Sequence, residues 1–267
     1  MATYSRPVRS SASSKAPLAA LSFVLVVTTA CSASGEPEVT VGPQESSTVA
    51  ELDAGVAPAA QALLEAPGLR ITAVYFGFAD PEQATRFDWL EYRAEGNFFA
   101  VYSELDPRRV EAFIQVGEEL YTATITAQAD EPWSALGLQP KPPTEFLDLL
   151  ALLTAIAEQP SMLVDGEPAE SEVTRQQDGD GNVLWTLREK GSNPDVIGLA
   201  AQWLINGDGV LQFYRVGSDV EPIAGSSGIV YEFGIADDLD PLEPPALGTP
   251  LDLEERGIPS ELIELDD

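Results

Sequence analysis

The stretch TEFLDLLALLTAIAE, residues 144–158, decides the fold. Pro142-Pro143 breaks the chain just before it, and Thr144 is a natural helix N-cap. Phe146, Leu147, Leu149, Leu150, Leu152, Leu153 and Ile156 then place apolar groups nearly all round a helix. A helix with so little polar surface must be covered on more than one side. The chain on either side of it has the alternation of β-strands, so the cover is a sheet.

Upstream, Val56, Ala59, Ala60, Leu63 and Leu64 recur at helical spacing over 56–66, with Pro58 in the first turn and Pro67-Gly68 as the stop. Strands are predicted over 70–78, 87–94, 98–104, 110–116 and 120–125. Glu95-Gly96-Asn97, Asp106-Pro107 and Gly117-Glu118 turn the chain between them. Such a succession is an antiparallel meander. Downstream, 171–175 and 183–188 flank Asp178-Gly179-Asp180-Gly181-Asn182, while 198–205 and 210–216 flank Asn206-Gly207-Asp208-Gly209. Residues 229–235 form the last clear strand. The tail after Asp237 is acidic and proline-rich and is expected to pack only in part.

The beginning of the chain is of another kind. Residues 1–15 carry Arg6, Arg9 and Lys15 and no acid, and an apolar run from Ala16 to Val27 follows. Thr28-Thr29-Ala30 then lead to Cys31, the single cysteine. A basic start, a short apolar run and small residues at the cut form an export signal rather than a membrane span, which needs ~20 apolar residues. The segment resembles a bacterial lipoprotein signal, although Thr28 stands where leucine is usual, and the resemblance implies that the Cys31 thiol carries lipid. The alternative is an ordinary export signal with a chance cysteine, and the lack of a disulfide partner in the chain favours the first reading. Residues 31–53, rich in Ser, Gly, Glu, Thr and Pro, read as the lipidated N-terminus and a flexible tether.

Removing Arg6, Arg9 and Lys15 with the leader leaves 11 basic against 44 acidic residues, a net of −33. That excludes nucleic acid, whose phosphates need clustered cations, and excludes electrostatic docking on anionic headgroups as the main hold on a membrane. Acyl chains on Cys31 would supply that hold. The chain has no histidine, so Ser-His and Cys-His hydrolase pairs and imidazole metal sites cannot be built. Asp178, Asp180 and Asn182 have the first spacings of a calcium loop, with Glu189 at the twelfth position. Val183 sits where such a loop needs glycine and 184–188 reads as strand, so a hairpin turn is the better account. No carboxylate pair is singled out for glycosidase chemistry, and no cofactor is called for.

Several local stretches, taken in order, resemble the LolA-like superfamily, in particular the actinobacterial LppX/LprG-type lipoproteins. Phe113-Ile114-Gln115-Val116-Gly117-Glu118-Glu119-Leu120-Tyr121 resembles a hairpin ending in Leu-Tyr, and Glu131-Pro132-Trp133 the tryptophan after it. Leu163-Val164-Asp165-Gly166-Glu167-Pro168 resembles the turn before the central hairpin. Trp203-Leu204-Ile205-Asn206-Gly207-Asp208-Gly209 resembles a W-x-D-x-x-G strand and turn. The resemblance runs over about residues 55–250, and a domain is placed at 54–250 with an acidic tail at 251–267. It implies an α+β fold, a curved antiparallel half-barrel with helices on its concave face. It also implies a non-enzymatic, envelope-bound protein whose partner is an acyl lipid or lipidated molecule.

The residues themselves give a candidate lining. If Glu91, Glu104, Glu111, Gln115, Glu172 and Gln202 face water, then Leu90, Tyr92, Val101, Ala112, Ile114, Val173 and Trp203 face inward. Ile71, Tyr75, Trp185, Tyr231 and Phe233 join them by weaker alternation, and Leu149, Leu150 and Leu153 of the apolar helix lie across them. A closed core in which these groups touch one another has the same pattern. In that case the protein is an envelope sensor or scaffold without a ligand. A carrier has a clear physical use: a buried methylene is worth about 0.8 kcal/mol, so a 16-carbon chain needs about 13 kcal/mol of apolar cover to cross water.

Overall fold

The computed structural model describes residues 43–76, 84–93, 95–104, 109–126, 130–138, 144–163, 171–189, 200–217, 227–237, 239–253 and 258. The chain begins with β1 (Glu45–Ser47) and α1 (Val49–Leu64). Six strands follow: β2 (Gly68–Phe76), β3 (Ala84–Arg93), β4 (Phe98–Glu104), β5 (Arg109–Val116), β6 (Glu119–Thr126) and β7 (Asp130–Leu138). Next come α2 (Thr144–Glu158) and a 3-10 turn at Pro160–Leu163. The rest is β8 (Ser171–Gln177), β9 (Val183–Glu189), β10 (Ala200–Ile205), β11 (Leu211–Gly217) and β12 (Gly228–Ile235). Cys31, the leader and the turn at 164–168 lie outside the described residues.

The twelve strands form a single open sheet in the order β1-β8-β9-β10-β11-β12-β2-β3-β4-β5-β6-β7, antiparallel throughout. Two meanders meet where β12 pairs with β2. The predicted turns at 95–97, 117–118, 178–182 and 206–209 sit at one end of the sheet, while the one at 106–107 lies outside the described residues. Two of them pack together: Asn182 Oδ1 accepts the Gly207 N–H at 3.1 Å, and a Cβ on Gly207 would lie 2.6 Å from the Asp180 carbonyl. Asp178 is spent inside its own turn, accepting the N–H groups of Asp180 and Asn182 at 2.9 Å and the Asn182 side chain at 2.7 Å. Those bonds hold its carboxyl below the usual range. This is the hairpin chemistry expected of the stretch.

Both helices lie on one face of the sheet, here the helix face. Leu52, Val56, Ala59, Ala60 and Leu63 of α1 and Leu149, Leu153 and Ile156 of α2 share a core with residues of β2, β3, β4, β6 and β8–β12. The two helices differ in seating. α1 comes close to the backbones of β10, β11 and β12, whereas the close backbone neighbours of α2 are α1 and the 3-10 turn. Asp53 of α1 rivets that turn, accepting both the Ser161 N–H and its hydroxyl at 2.9 Å. α2 keeps a wet stripe of Asp148, Ala151, Thr154 and Glu158, so it is less uniformly covered than its sequence predicts.

Three expectations about the ends of the domain need correction. The tether predicted through residue 53 stops before Glu45, because β1 pairs with β8 and α1 already starts at Val49. The helix predicted from 56 starts a full two turns earlier and carries Pro58 in its interior. A proline there costs about 3 kcal/mol. The reciprocal Thr48–Glu51 capping box, at 3.2 and 2.9 Å, and the burial of Leu52 and Val56, about 2 kcal/mol each, outweigh it. The domain also extends past residue 250. Residues 239–253 and 258 form a strap across the other face of the sheet, where Leu242, Leu253 and Ile258 are buried. The strap is fastened to β7 by Trp133 N–H to the Thr249 carbonyl and Gly248 N–H to the Trp133 carbonyl, both 2.9 Å. Strand β7 is not predicted from sequence, since Pro132 argues against a strand. It is tolerated because β7 is the edge of the sheet.

The close seating of α1 gives a test. A Cβ at Gly55 would lie 2.8 Å from Cζ2 of the buried Trp185. In a free helix Gly55→Ala would gain about 1 kcal/mol, but the overpacking costs about 1–3 kcal/mol. Gly55→Ala is therefore expected to lower the thermal midpoint, read by circular dichroism.

Candidate ligand-binding face

The register across the sheet fixes which side chains share the helix face. One row runs across all twelve strands: Glu45, Arg175, Trp185, Trp203, Tyr214, Tyr231, Ala73, Asp88, Tyr102, Glu111, Thr124 and Glu131. Its rings stack: Trp203 on Tyr214 at 5.4 Å, and Tyr214 on Tyr231 at 5.8 Å. Arg175 lies 5.8 Å above the Trp185 ring. Toward the turn end the rows become apolar, as in Phe233, Ile71, Leu90, Ala100 and Phe113. Toward the opposite end they become polar and aromatic, as in Ile229, Tyr75 and Arg86.

At that polar end Arg86 pairs with the buried Asp88 at 2.9 Å and lies over the Tyr75 and Tyr102 rings at 5.1 and 5.7 Å. The Tyr75 hydroxyl donates to Asp88. Burial raises the hydroxyl pKa of Tyr75 above its ordinary value, and the neighbouring Asp88 adds to the shift. Burial also raises Tyr214 and Tyr231. Tyr75, Tyr92, Tyr102, Phe113 and Tyr231 are half-buried and pack on the edge of the helix-face core. A planar cation held between phenol rings beside a buried carboxylate forms a rigid polar rim to an apolar floor.

Of the residues predicted to line one wall, the structure brings together Ile71, Tyr75, Leu90, Tyr92, Leu149, Leu150, Leu153, Trp185, Trp203, Tyr231 and Phe233, all in or against the helix-face core. Val101, Ala112 and Ile114 are corrections: they lie in the core under the strap, with Phe87, Trp89, Phe99, Tyr121 and Trp133. The face expected of Val101 follows from taking Glu104 as wet, and those of Ala112 and Ile114 from taking Glu111 and Gln115 as wet. On β5 those two residues alternate with Val110, Ala112 and Ile114, and Glu111 falls in the helix-face row. The strap dries the opposite face, so the charges mark the helix face at this edge. Glu91 is on the strap face as expected but is buried, paired to Arg70 at 2.9 Å, and Gln202 is buried near Thr186. Phe98, Ala100, Tyr102 and Phe113 were not predicted for this wall, although the alternation along 98–104 carries the first three once the face is right.

The floor beneath the helices is filled. Ile71, Leu153 and Trp203 expose no surface, whereas a group lining a void wide enough for water would. Two hollows among the described residues lie elsewhere. One, about 350 Å³, is bordered by Glu45, Ser46, Ser47, Glu51, Arg175 and Trp185 where β1 meets α1. The other, about 120 Å³, lies between β6, β7 and the strap. Among the described residues no His/Cys/Asp/Glu group is placed to hold a metal ion, and no helix is long and apolar enough to cross a membrane.

No protein-family model matches the chain, and no curated protein does. Among solved structures it is similar to the crystal structure of LprF from Mycobacterium bovis, at 13% identity and a TM-score of 0.44. The match covers 75% of this chain and 99% of that one. A likeness this loose carries no functional information.

The buried phenols give a pH test. A tyrosine whose pKa is higher folded than unfolded adds stability that is full below the unfolded value of about 10 and is lost as pH rises above it. Absorbance at alkaline pH is expected to show Tyr75, Tyr214 and Tyr231 ionising late, together with loss of the circular dichroism signal. Simple titration of all tyrosines near their ordinary value, with the fold intact, would contradict this.

Proposed function

We propose that the chain is an exported, lipid-anchored, non-enzymatic envelope protein that binds an acyl chain or lipidated molecule on its helix face. In this reading the sheet acts as a half-barrel, the tail enters between α2 and strands β2–β5, and the polar group stays at the Tyr75–Arg86–Tyr102 rim. The observation that carries the reading is the unequal seating of the helices. α1 is pressed onto the sheet, with Gly55 against Trp185, while α2 leans on α1 and the 3-10 turn. The same core takes in half-buried Tyr92, Tyr102 and Phe113 from β3, β4 and β5. Ile71, Leu153 and Trp203 are fully buried, so in this reading a tail reaches them by parting α2 from the sheet.

The filled floor favours a second reading, an anchored scaffold or sensor with no ligand. Titration with a fluorescent fatty-acyl probe separates the two. The carrier reading expects saturable uptake, weakened about tenfold or more by Tyr102→Ser with Phe113→Ser, a loss of about 1.4 kcal/mol or more, while the circular dichroism spectrum is kept. No uptake by the unaltered protein, and no acyl compound in solvent extracts of protein from native envelopes, would leave the scaffold.

Anchoring is tested separately. Cys31→Ala is expected to release the protein into the medium or leave its leader uncut, as read by fractionation and intact mass. Processed Cys31→Ala protein that stays with the membrane would overturn the anchor.

A further inference from the structure

The two hairpin turns that pack together carry Asp178-Gly179, Asp180-Gly181, Asn206-Gly207 and Asp208-Gly209. An asparagine before glycine is open to attack by its own backbone, because no Cβ on the next residue shields that nitrogen. We infer that Asn206 is a latent deamidation site, activated by its own turn and held unreactive by Asn182 of the neighbouring turn. In the reaction the Gly207 nitrogen adds to Cγ of Asn206. The new C–N bond closes a cyclic imide, and the side-chain nitrogen leaves as ammonia, taking the proton from Gly207. Water then opens the imide, giving aspartate where the new bond breaks and isoaspartate where the original peptide bond breaks. Carboxylates resist the same attack, so Asn206 is the reactive member of the set.

The carbon under attack is activated. Asn206 Oδ1 accepts the N–H groups of Asp208 at 3.1 Å and Val210 at 2.9 Å. Two backbone donors on that oxygen stabilise the negative charge that gathers there as the nitrogen adds. The nitrogen, by contrast, is restrained. Its N–H donates to Asn182 Oδ1 at 3.1 Å. Attack requires that proton to leave, and the bare nitrogen would then face the lone pairs of the Asn182 oxygen. Asp178 holds that oxygen in place: its Oδ2 accepts from Asn182 Nδ2 at 2.7 Å, which turns the amide oxygen toward Gly207. The packing that demands glycine at 207, where a Cβ would lie 2.6 Å from the Asp180 carbonyl oxygen, therefore brings its own guard. Failure of the guard would reach the helix face. Isoaspartate at 206 inserts a side-chain carbon into the backbone where the Asn206 N–H donates to the Val210 carbonyl at 2.9 Å, and this hairpin sets Trp203 on Tyr214.

The purified full-length protein is incubated at mildly alkaline pH beside a free peptide spanning residues 203–210. Peptide mass mapping reads the amide-to-acid gain at 206. Asn206 is expected to convert more slowly in the protein than in the peptide. In Asn182→Ala the rate is expected to rise about fivefold or more over the unaltered protein, the factor that corresponds to one ordinary hydrogen bond, with faster hydrogen exchange at the Gly207 amide. Asp178→Ala should act in the same direction. Gly55→Ala, which loosens the fold away from these turns, should leave the rate unchanged and so separates the guard from general destabilisation. Conversion in the unaltered protein as fast as in the peptide, no rise in folded Asn182→Ala, or an equal rise in Gly55→Ala would overturn the inference.

Discussion

Everything on the helix face depends on the pairing of β12 with β2. That seam joins two meanders that would otherwise be separate small sheets, and it sets Tyr231 beside Ala73, Phe233 beside Ile71 and Ile229 beside Tyr75. The partners are about 160 residues apart in sequence, and closing a loop of that length costs about 4–5 kcal/mol beyond the constant term. The seam is maintained by what spans it. The stacked Trp203, Tyr214 and Tyr231 continue the row on one side, Asp88 and Tyr102 on the other, and α1 and α2 seal its apolar end. A slip of one residue would turn Tyr231 and Phe233 to the strap side and remove both the ring stack and the floor beneath the helices.

The seam also explains why each half of the sheet is covered differently. The core under the strap is drawn from β3–β7 and the strap itself, while the core under the helices reaches from β8 to β6. Strands β3 and β4 are therefore dry on both faces over much of their length. Parallel sheets usually require such double cover, whereas an antiparallel sheet can leave one face wet. Here the second cover is irregular chain, and its prolines at 241, 244, 245 and 250 limit the freedom it loses on docking.

That arrangement decides what could be read from the sequence. The hairpin turns, the strands and the apolar α2 were legible because each follows from local spacing and from Gly, Asn and Asp at positions that need them. The facing of β2, β9, β10 and β12 was legible because one cover dominates there, and that of β3 because Glu91 and Arg93 mark the side away from the helices. It failed on β4 and β5, where Val101, Ala112 and Ile114 alternate correctly but against the wrong side. Alternation separates two faces and does not say which one the rest of the chain covers. The covering strap gave no periodic signal, since Leu242, Leu251, Leu253 and Ile258 stand singly among acids and prolines. β1 is too short to carry a pattern, and its pairing with β8 depends on contacts remote in sequence. The Arg86–Asp88 pair was equally hidden: two residues apart on a strand, it looks like ordinary surface charge until Tyr75 and Tyr102 are brought to its sides.

A filled floor does not by itself bar the entry of a hydrocarbon tail. Parting α2 from the sheet exposes Leu149, Leu153 and Ile156, at about 2 kcal/mol each, if water enters the gap. If a hydrocarbon tail enters instead, those groups exchange one apolar neighbour for another and their burial is kept. The tail's own transfer, about 0.8 kcal/mol per methylene, is then set mainly against lost direct packing and the ordering of the chain. About eight methylenes match the whole burial of the three side chains, and longer tails leave a surplus. Under the carrier reading the closed interface would therefore discriminate by length: short chains would lack the free energy to part α2 from the sheet, and long ones would have it. The riveting of the 3-10 turn to α1 through Asp53 and Ser161 raises that threshold, because α2 cannot lift at its C-terminal end without breaking two hydrogen bonds to a carboxylate.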